Sequence, residues 1–168
     1  MALLTIKQRQ ARFKFLGLGE YNEANIKAFQ KKAFPSLRSE QDGIYGVNTD
    51  NALRHFYNVR KVTENFSPEE FRCGCGSKYC TGYPSFMKQV ELKNLQSIRT
   101  HYGKSMIVTC GLRCKTYNSK LSGSVPNSKH LSGYATDFYM AGVTDTLANR
   151  KKSIAWIKTL PNHNYTYG

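Results

Sequence analysis

The alternation of apolar and polar positions divides the 168-residue chain into a helical first half and a mixed second half. Leu4, Phe13, Leu16 and Leu18 form one apolar stripe ending at the breaker Gly17-Leu18-Gly19. Ile26, Phe29, Ala33 and Phe34 recur at helical spacing until Pro35, which has no amide hydrogen, stops the run. Ala52, Leu53 and Phe56 mark a third helix that Asn48 or Thr49 is placed to cap. Between the second and third lies Asp42-Gly43-Ile44-Tyr45-Gly46, whose glycines permit tight turning and whose Ile44 and Tyr45 are expected to plug the bundle. His55, inside the third helix, reads as a surface or boundary histidine rather than a ligand.

A polar stretch, Lys61 to Asn65, reads as a linker. Ser67-Pro68-Glu69-Glu70-Phe71 has the signature of a helix start, with Ser67 as cap, Pro68 in the first position and acids in the first turn. Phe86 to Tyr102 predicts a longer helix, with Phe86, Val90, Leu95, Ile98 and Tyr102 inward, His101 in the last turn and Gly103 as stop. Ser105 to Thr109 and Tyr134 to Tyr139 predict strands, and Leu147 to Thr159 a last amphipathic helix closed by Pro161. The order implies an α+β protein: a small three-helix bundle over 1–60, a linker over 61–65, and an α+β domain over 66–168 with a small antiparallel sheet.

Charge narrows the partners. Lys+Arg number 25 against 11 Asp+Glu, a net +14, and 40 % of residues are hydrophobic, enough for a core. The charge is spread over both sides of Arg60, so it is no basic arm, and it favours a polyanionic partner: nucleic acid, an anionic membrane or an anionic wall. No standard nucleic-acid motif accompanies it, and no apolar run approaches the roughly 20 residues that span a bilayer. Lys7, Arg9, Arg12 and Lys14 interrupt the N-terminal apolar residues, so synthesis in the cytoplasm without a signal peptide is expected.

All five cysteines and three of the four histidines fall after Arg60. The richest stretch is Ser128-Lys129-His130-Leu131-Ser132-Gly133-Tyr134-Ala135-Thr136-Asp137. With Tyr134 onward as a strand, Ala135 and Asp137 share a face, because side chains alternate with period two. Gly133 lets the chain turn so that His130 folds back beside Asp137, and an imidazole with a carboxylate makes a suitable start to a zinc site. Among the cysteines, Cys73, Cys75 and Cys80, with Cys110 and Cys114, could supply four thiolates to a structural metal. Their spacing is not a standard one, the odd number leaves at least one thiol outside any intramolecular disulfide scheme, and free thiols suit a reducing cytosol.

Two resemblances follow from these residues. Ile26-Lys27-Ala28-Phe29-Gln30, Asp42-Gly43-Ile44-Tyr45-Gly46, Thr49 and Ala52-Leu53 resemble the peptidoglycan-binding domain at the ends of bacterial and phage wall hydrolases, over roughly residues 5 to 58. The 128–137 segment resembles the S-x-H-x-x-G-x-A-x-D signature of the zinc D-alanyl-D-alanine carboxypeptidase and L-alanyl-D-glutamate peptidase family, with all five fixed positions met. Val108-Thr109-Cys110-Gly111-Leu112-Arg113-Cys114 is similar to the family's strand-end S-G-y-R segment, with Cys110 for the serine and Leu112 for the aromatic.

The second resemblance implies Zn²⁺ held by His130 and Asp137, Arg113 on a substrate carboxylate or the scissile carbonyl, and Ser128 as a supporting or substrate contact. It also implies a third ligand, a histidine well after the aspartate with an acid nearby as base. His163 is the sole histidine after Asp137, so either it takes that place or the ligand and base lie past Gly168. Together the resemblances imply an endolysin-like peptidoglycan hydrolase acting at the bacterial wall, or an inactive wall-binding or virion module retaining the fold. Peptidoglycan and anionic wall polymers are the expected partners.

Overall fold

The structure, a computed structural model, describes residues 2–160. Among these residues six α-helices and one two-stranded antiparallel sheet form the regular structure, in keeping with the α+β class. Pro161 and His163 lie outside the described residues.

Three helices come first: α1 (Ile6–Phe15), α2 (Glu23–Ala33) and α3 (Val47–Val62). Thr5 and Gln8 form a reciprocal capping box at the start of α1, and the Asn22 side chain accepts from the Asn25 amide at the start of α2. The third helix starts earlier than either proposed cap allows. It follows Gly46 with no side-chain cap, and Thr49 is buried, where its hydroxyl accepts from Gln30 Nε2 at 3.1 Å. Phe13, Phe29 and Phe56 meet edge to face at 5.3–6.1 Å between centroids, and each buried ring contributes roughly 1.5–3 kcal/mol of hydrophobic stabilisation.

Buried Gln30 organises the loop before α3. Its amide nitrogen donates to Asp42 Oδ1 at 3.0 Å and the Ile44 carbonyl at 2.9 Å, while its oxygen accepts from the Gly43 amide at 2.8 Å. Asp42 Oδ1 also accepts from the Ile44 amide at 2.8 Å. These bonds hold the loop by its backbone, so Ile44 is 69 % exposed and plugs nothing, whereas Tyr45 lies half-buried with its hydroxyl on Asp50.

The third helix also carries the second half. His55 is fully buried, not at the surface. Its Nε2 lies 2.7 Å from the Pro68 carbonyl and its Nδ1 accepts from the Met87 amide at 3.3 Å. Its ring stacks on Tyr83 at 5.1 Å. The Pro68 carbonyl can only accept and the Met87 amide can only donate, so the ring is the neutral Nε2–H tautomer. Burial pushes its pKa down to about 4 against the lift from the Pro68 carbonyl. Asn58 Nδ2 adds a bond to the Met87 carbonyl at 2.9 Å. One apolar cluster runs from Leu4 through Phe56 and Val59 to Phe71, Leu95, Met106 and Leu112.

Ser67 to Phe71 forms only a single 3-10 turn, Pro68–Phe71, with the Glu70 carboxylate accepting from the Ser67 amide at 2.7 Å. α4 (Gln89–Tyr102) begins three residues later than the periodicity suggests. Lys88, itself extended, donates its amide to the Gly133 carbonyl at 2.9 Å, and the helix starts only after it. Phe86 is therefore half-buried beneath the Lys88 ammonium, 3.9 Å from its centroid. Leu92, Leu95 and Ile98 face the core, and Gly103 closes the helix at φ 57°.

β1 (Met106–Cys110) pairs antiparallel with β2 (Asp137–Met140), with Met106 opposite Met140 and Cys110 opposite Asp137 across a register shift. β2 thus starts three residues later than Tyr134, whose amide is held by the Lys129 carbonyl at 3.1 Å. After the one-turn α5 (Lys115–Asn118), α6 (Leu147–Ile157) starts at the Thr146 cap and ends two residues short of Thr159. It docks mainly through Trp156, stacked on His101 at 3.9 Å, and buries no residue fully.

Candidate metal centre

The strand pairing sets Asp137 beside Cys110, and the irregular segments that follow β1 and precede β2 bring in the other groups. Gly111 passes so close to Phe71 that a Cβ would lie 2.6 Å from its Cα. The Leu112 amide then bonds the Phe71 carbonyl at 2.9 Å, and the Arg113 amide bonds the His130 carbonyl at 3.1 Å. His130 sits in the 3-10 turn Lys129–Leu131, directly after half-buried Ser128. Gly133 is required on two counts: its φ is +76°, and a Cβ there would meet the Phe86 carbonyl oxygen at 2.2 Å.

The sequence placed Asp137 by strand alternation from Tyr134, but the loop and the register deliver it instead. His130 Nε2 lies 3.5 Å from Asp137 Oδ1, and Arg113 donates to Asp137 Oδ2 at 3.1 Å. Arg113 Nε also approaches Cys110 Sγ at 3.1 Å, and a second guanidinium nitrogen reaches Asn118 Oδ1 at 3.4 Å. His130 Nδ1 lies 2.8 Å from the Gly111 carbonyl and 3.7 Å from Cys110 Sγ.

This donor set fits a metal. A backbone carbonyl on Nδ1 takes that N–H and directs the Nε2 lone pair toward the carboxylate, the usual support of a metal-bound imidazole. Donor atoms of Cys110, His130 and Asp137 lie within 4.8 Å of one another. His130 is buried while Asp137 is exposed, so the site opens to solvent on one side, as a hydrolytic centre requires. Without a metal, burial works against a charged His130, but Asp137, Cys110 and the Gly111 carbonyl outweigh it and lift its pKa to about 10. The hydrogen bond from His130 and the charge of Arg113 hold the Asp137 carboxyl below its usual range, against its partial burial.

The cysteines divide between two places. Cys110 belongs beside His130, whereas Cys73, Cys75, Cys80 and Cys114 converge elsewhere. Glu91, in the first turn of α4, has no part in the sequence reading. Burial lifts its pKa to about 7, with the charge of His130 pulling it back. Neighbouring Thr136 opposes the shift too. Only tertiary packing brings Glu91 near residues 130–136, and no sequence spacing announces it.

No curated protein and no solved structure matches the chain significantly. The family model described as Peptidase M15 matches residues 64–159, a span that holds Arg113, Ser128, His130 and Asp137. That span is more than half of the chain, which therefore belongs to the peptidase M15 family of metallopeptidases.

Proposed function

We propose that this chain hydrolyses stem-peptide amide bonds of bacterial peptidoglycan, in the manner of an endolysin, with Zn²⁺ as its metal. The carrying observation is the convergence of His130, Asp137 and Arg113 at an open edge of the M15-matching region. His130 Nε2 and Asp137 would hold the ion, with His163, outside the described residues, as the candidate third ligand. When bound, zinc polarises a carbonyl and brings the pKa of a coordinated water toward neutrality.

The chain's own residues do the rest. The Gly111 carbonyl fixes the imidazole orientation, and Arg113 offers a planar fork of donors to a substrate carboxylate or the scissile carbonyl. Ser128 stands at the head of the His130 turn as a substrate contact. Residues 1–60 serve as a wall-binding module, on the strength of the Gln30-Asp42-Gly43-Ile44 network and its likeness to peptidoglycan-binding domains. Tethering raises the local concentration of the peptidase on an insoluble substrate. The +14 charge favours anionic wall polymers, and no helix of the described residues is long and apolar enough to cross a membrane.

Zinc stoichiometry and mass spectrometry of peptides released from purified sacculi test the reading, in this chain and in its His130→Ala variant. Zinc uptake with stem-peptide release supports it. Zinc content that does not fall on His130→Ala substitution overturns it, and a protein that binds sacculi without cleaving them is assigned a wall-binding or virion role.

A further inference from the structure

Outside the site just described, the densest group of metal-ligating side chains is formed by Cys73, Cys75, Cys80 and Cys114. Each of their four sulfurs lies within 4.8 Å of the other three, and Cys75 and Cys80 are 3.5 Å apart. A tetrahedral ion with Zn–S bonds of about 2.3 Å sets sulfurs about 3.8 Å apart, so little movement closes such a shell. Disulfide chemistry joins sulfurs in pairs, whereas here all four converge on one point, and all are reduced.

The surroundings suit thiolates. The Gly82 amide points at Cys80 Sγ at 3.4 Å, the Cys114 amide at Cys73 Sγ at 3.3 Å and the Tyr117 amide at Cys114 Sγ at 3.4 Å. Such N–H groups offset the negative charge that a tetrathiolate shell concentrates. Lys78 and Lys120, both within 5.6 Å of the Tyr79 ring that packs against the cluster, add positive charge nearby.

The loop has little else to hold it. Residues 73–82 form no helix or strand, and the cysteines make their own small cluster with Tyr79 and Tyr117, apart from the main core. Ser77 adopts φ 65°, a strained conformation that persists only where its surroundings fix it. A metal crosslink would supply what hydrophobic burial does not.

We propose that Cys73, Cys75, Cys80 and Cys114 bind one structural divalent ion of the zinc type, tying the 73–82 loop to the segment that presents Arg113. Binding releases the thiol protons to solvent and forms four metal–sulfur bonds without any redox change. Cys114 is the residue after Arg113, whose own amide bonds the His130 carbonyl, so the crosslink fixes one side of the candidate metal centre from behind. A soft tetrathiolate shell selects zinc over magnesium or calcium.

The experiment uses the full chain carrying His130→Ala and Asp137→Ala, which removes the other site. After purification and exhaustive dialysis it retains one equivalent of zinc by elemental analysis. Replacement by Co²⁺ gives the intense sulfur-to-cobalt charge-transfer bands of a tetrahedral thiolate site. Adding Cys80→Ser, at the least buried of the four, abolishes both signals, whereas Cys110→Ser leaves them intact. Should Cys80→Ser fail to fold, the cobalt spectrum of the parent still decides. A folded parent without metal whose thiols titrate freely, or one whose cysteines pair as disulfides, overturns the proposal.

Discussion

Two buried histidines, His55 and His130, meet opposite surroundings. His55 has backbone partners on both nitrogens and aromatic rings about it, and burial drives its pKa to about 4. His130 has a backbone partner on Nδ1 alone. Its Nε2 faces the Asp137 carboxylate, which is itself paired with Arg113, and its pKa rises to about 10. A histidine whose two nitrogens are both used by the backbone pins the fold. One with a nitrogen directed at an exposed carboxylate remains available for a ligand.

The contrast can be broken by substitution. Asp137→Ala should weaken zinc binding at the His130 site by about a thousandfold, beyond the 10–100-fold typical of residues that only support ligands. Competition against a chromophoric chelator measures this, and the melting temperature should hardly move. His55→Ala should do the reverse. It opens a cavity and strands the Met87 amide, lowering stability by about 3–4 kcal/mol in urea unfolding, with zinc affinity of the folded protein unchanged within about twofold. A tenfold loss of affinity in His55→Ala would dissolve the distinction.

Acid sharpens the same comparison. The neutral form of His55 is the native one, and its pKa lies below the ordinary 6.5, so the unfolded chain takes up the extra proton first. Its contribution is fully present above pH 6.5 and is lost as pH falls toward about 4, by up to about 3 kcal/mol. His55→Gln keeps a donor and an acceptor but cannot titrate, and it should flatten the stability profile over that window. An unchanged slope would show that other groups govern it.

The smallest effect belongs to Glu91. Its pKa of about 7 exceeds the ordinary 4.5, so the native state holds the proton longer and stability falls as pH rises through that interval. Glu91→Gln should raise stability at pH 8 by about 1–2 kcal/mol, after allowance for partial exposure, and change nothing at pH 4. Equal gains at both pH values would remove burial of the charge as the cause.

Local chemistry was legible in the sequence, and tertiary convergence was not. Phe13, Phe29 and Phe56 declared their helices by periodicity, and Ser128, His130, Gly133 and Asp137 pointed to the candidate metal centre through their resemblance to a family signature. His55 misled because a polar residue on a helix reads as boundary unless the carbonyl of Pro68 and the amide of Met87 are in view. Ile44 misled because Gln30 holds its loop by the backbone and leaves the side chain free. The strand was drawn from Tyr134 because apolar alternation ignores the Lys129 carbonyl that captures that amide. The cysteines were grouped in the sequence, but only the fold separates Cys110 from Cys114, which joins Cys73 from 41 residues away.

The central claim is that His130, unlike His55, is a metal ligand. Anomalous diffraction at the zinc edge from crystals of the zinc-loaded protein tests it most directly. A peak within bonding distance of His130 Nε2 and Asp137, with none at His55, is the predicted result. An intact His130–Asp137 pair with no peak beside it would contradict the account.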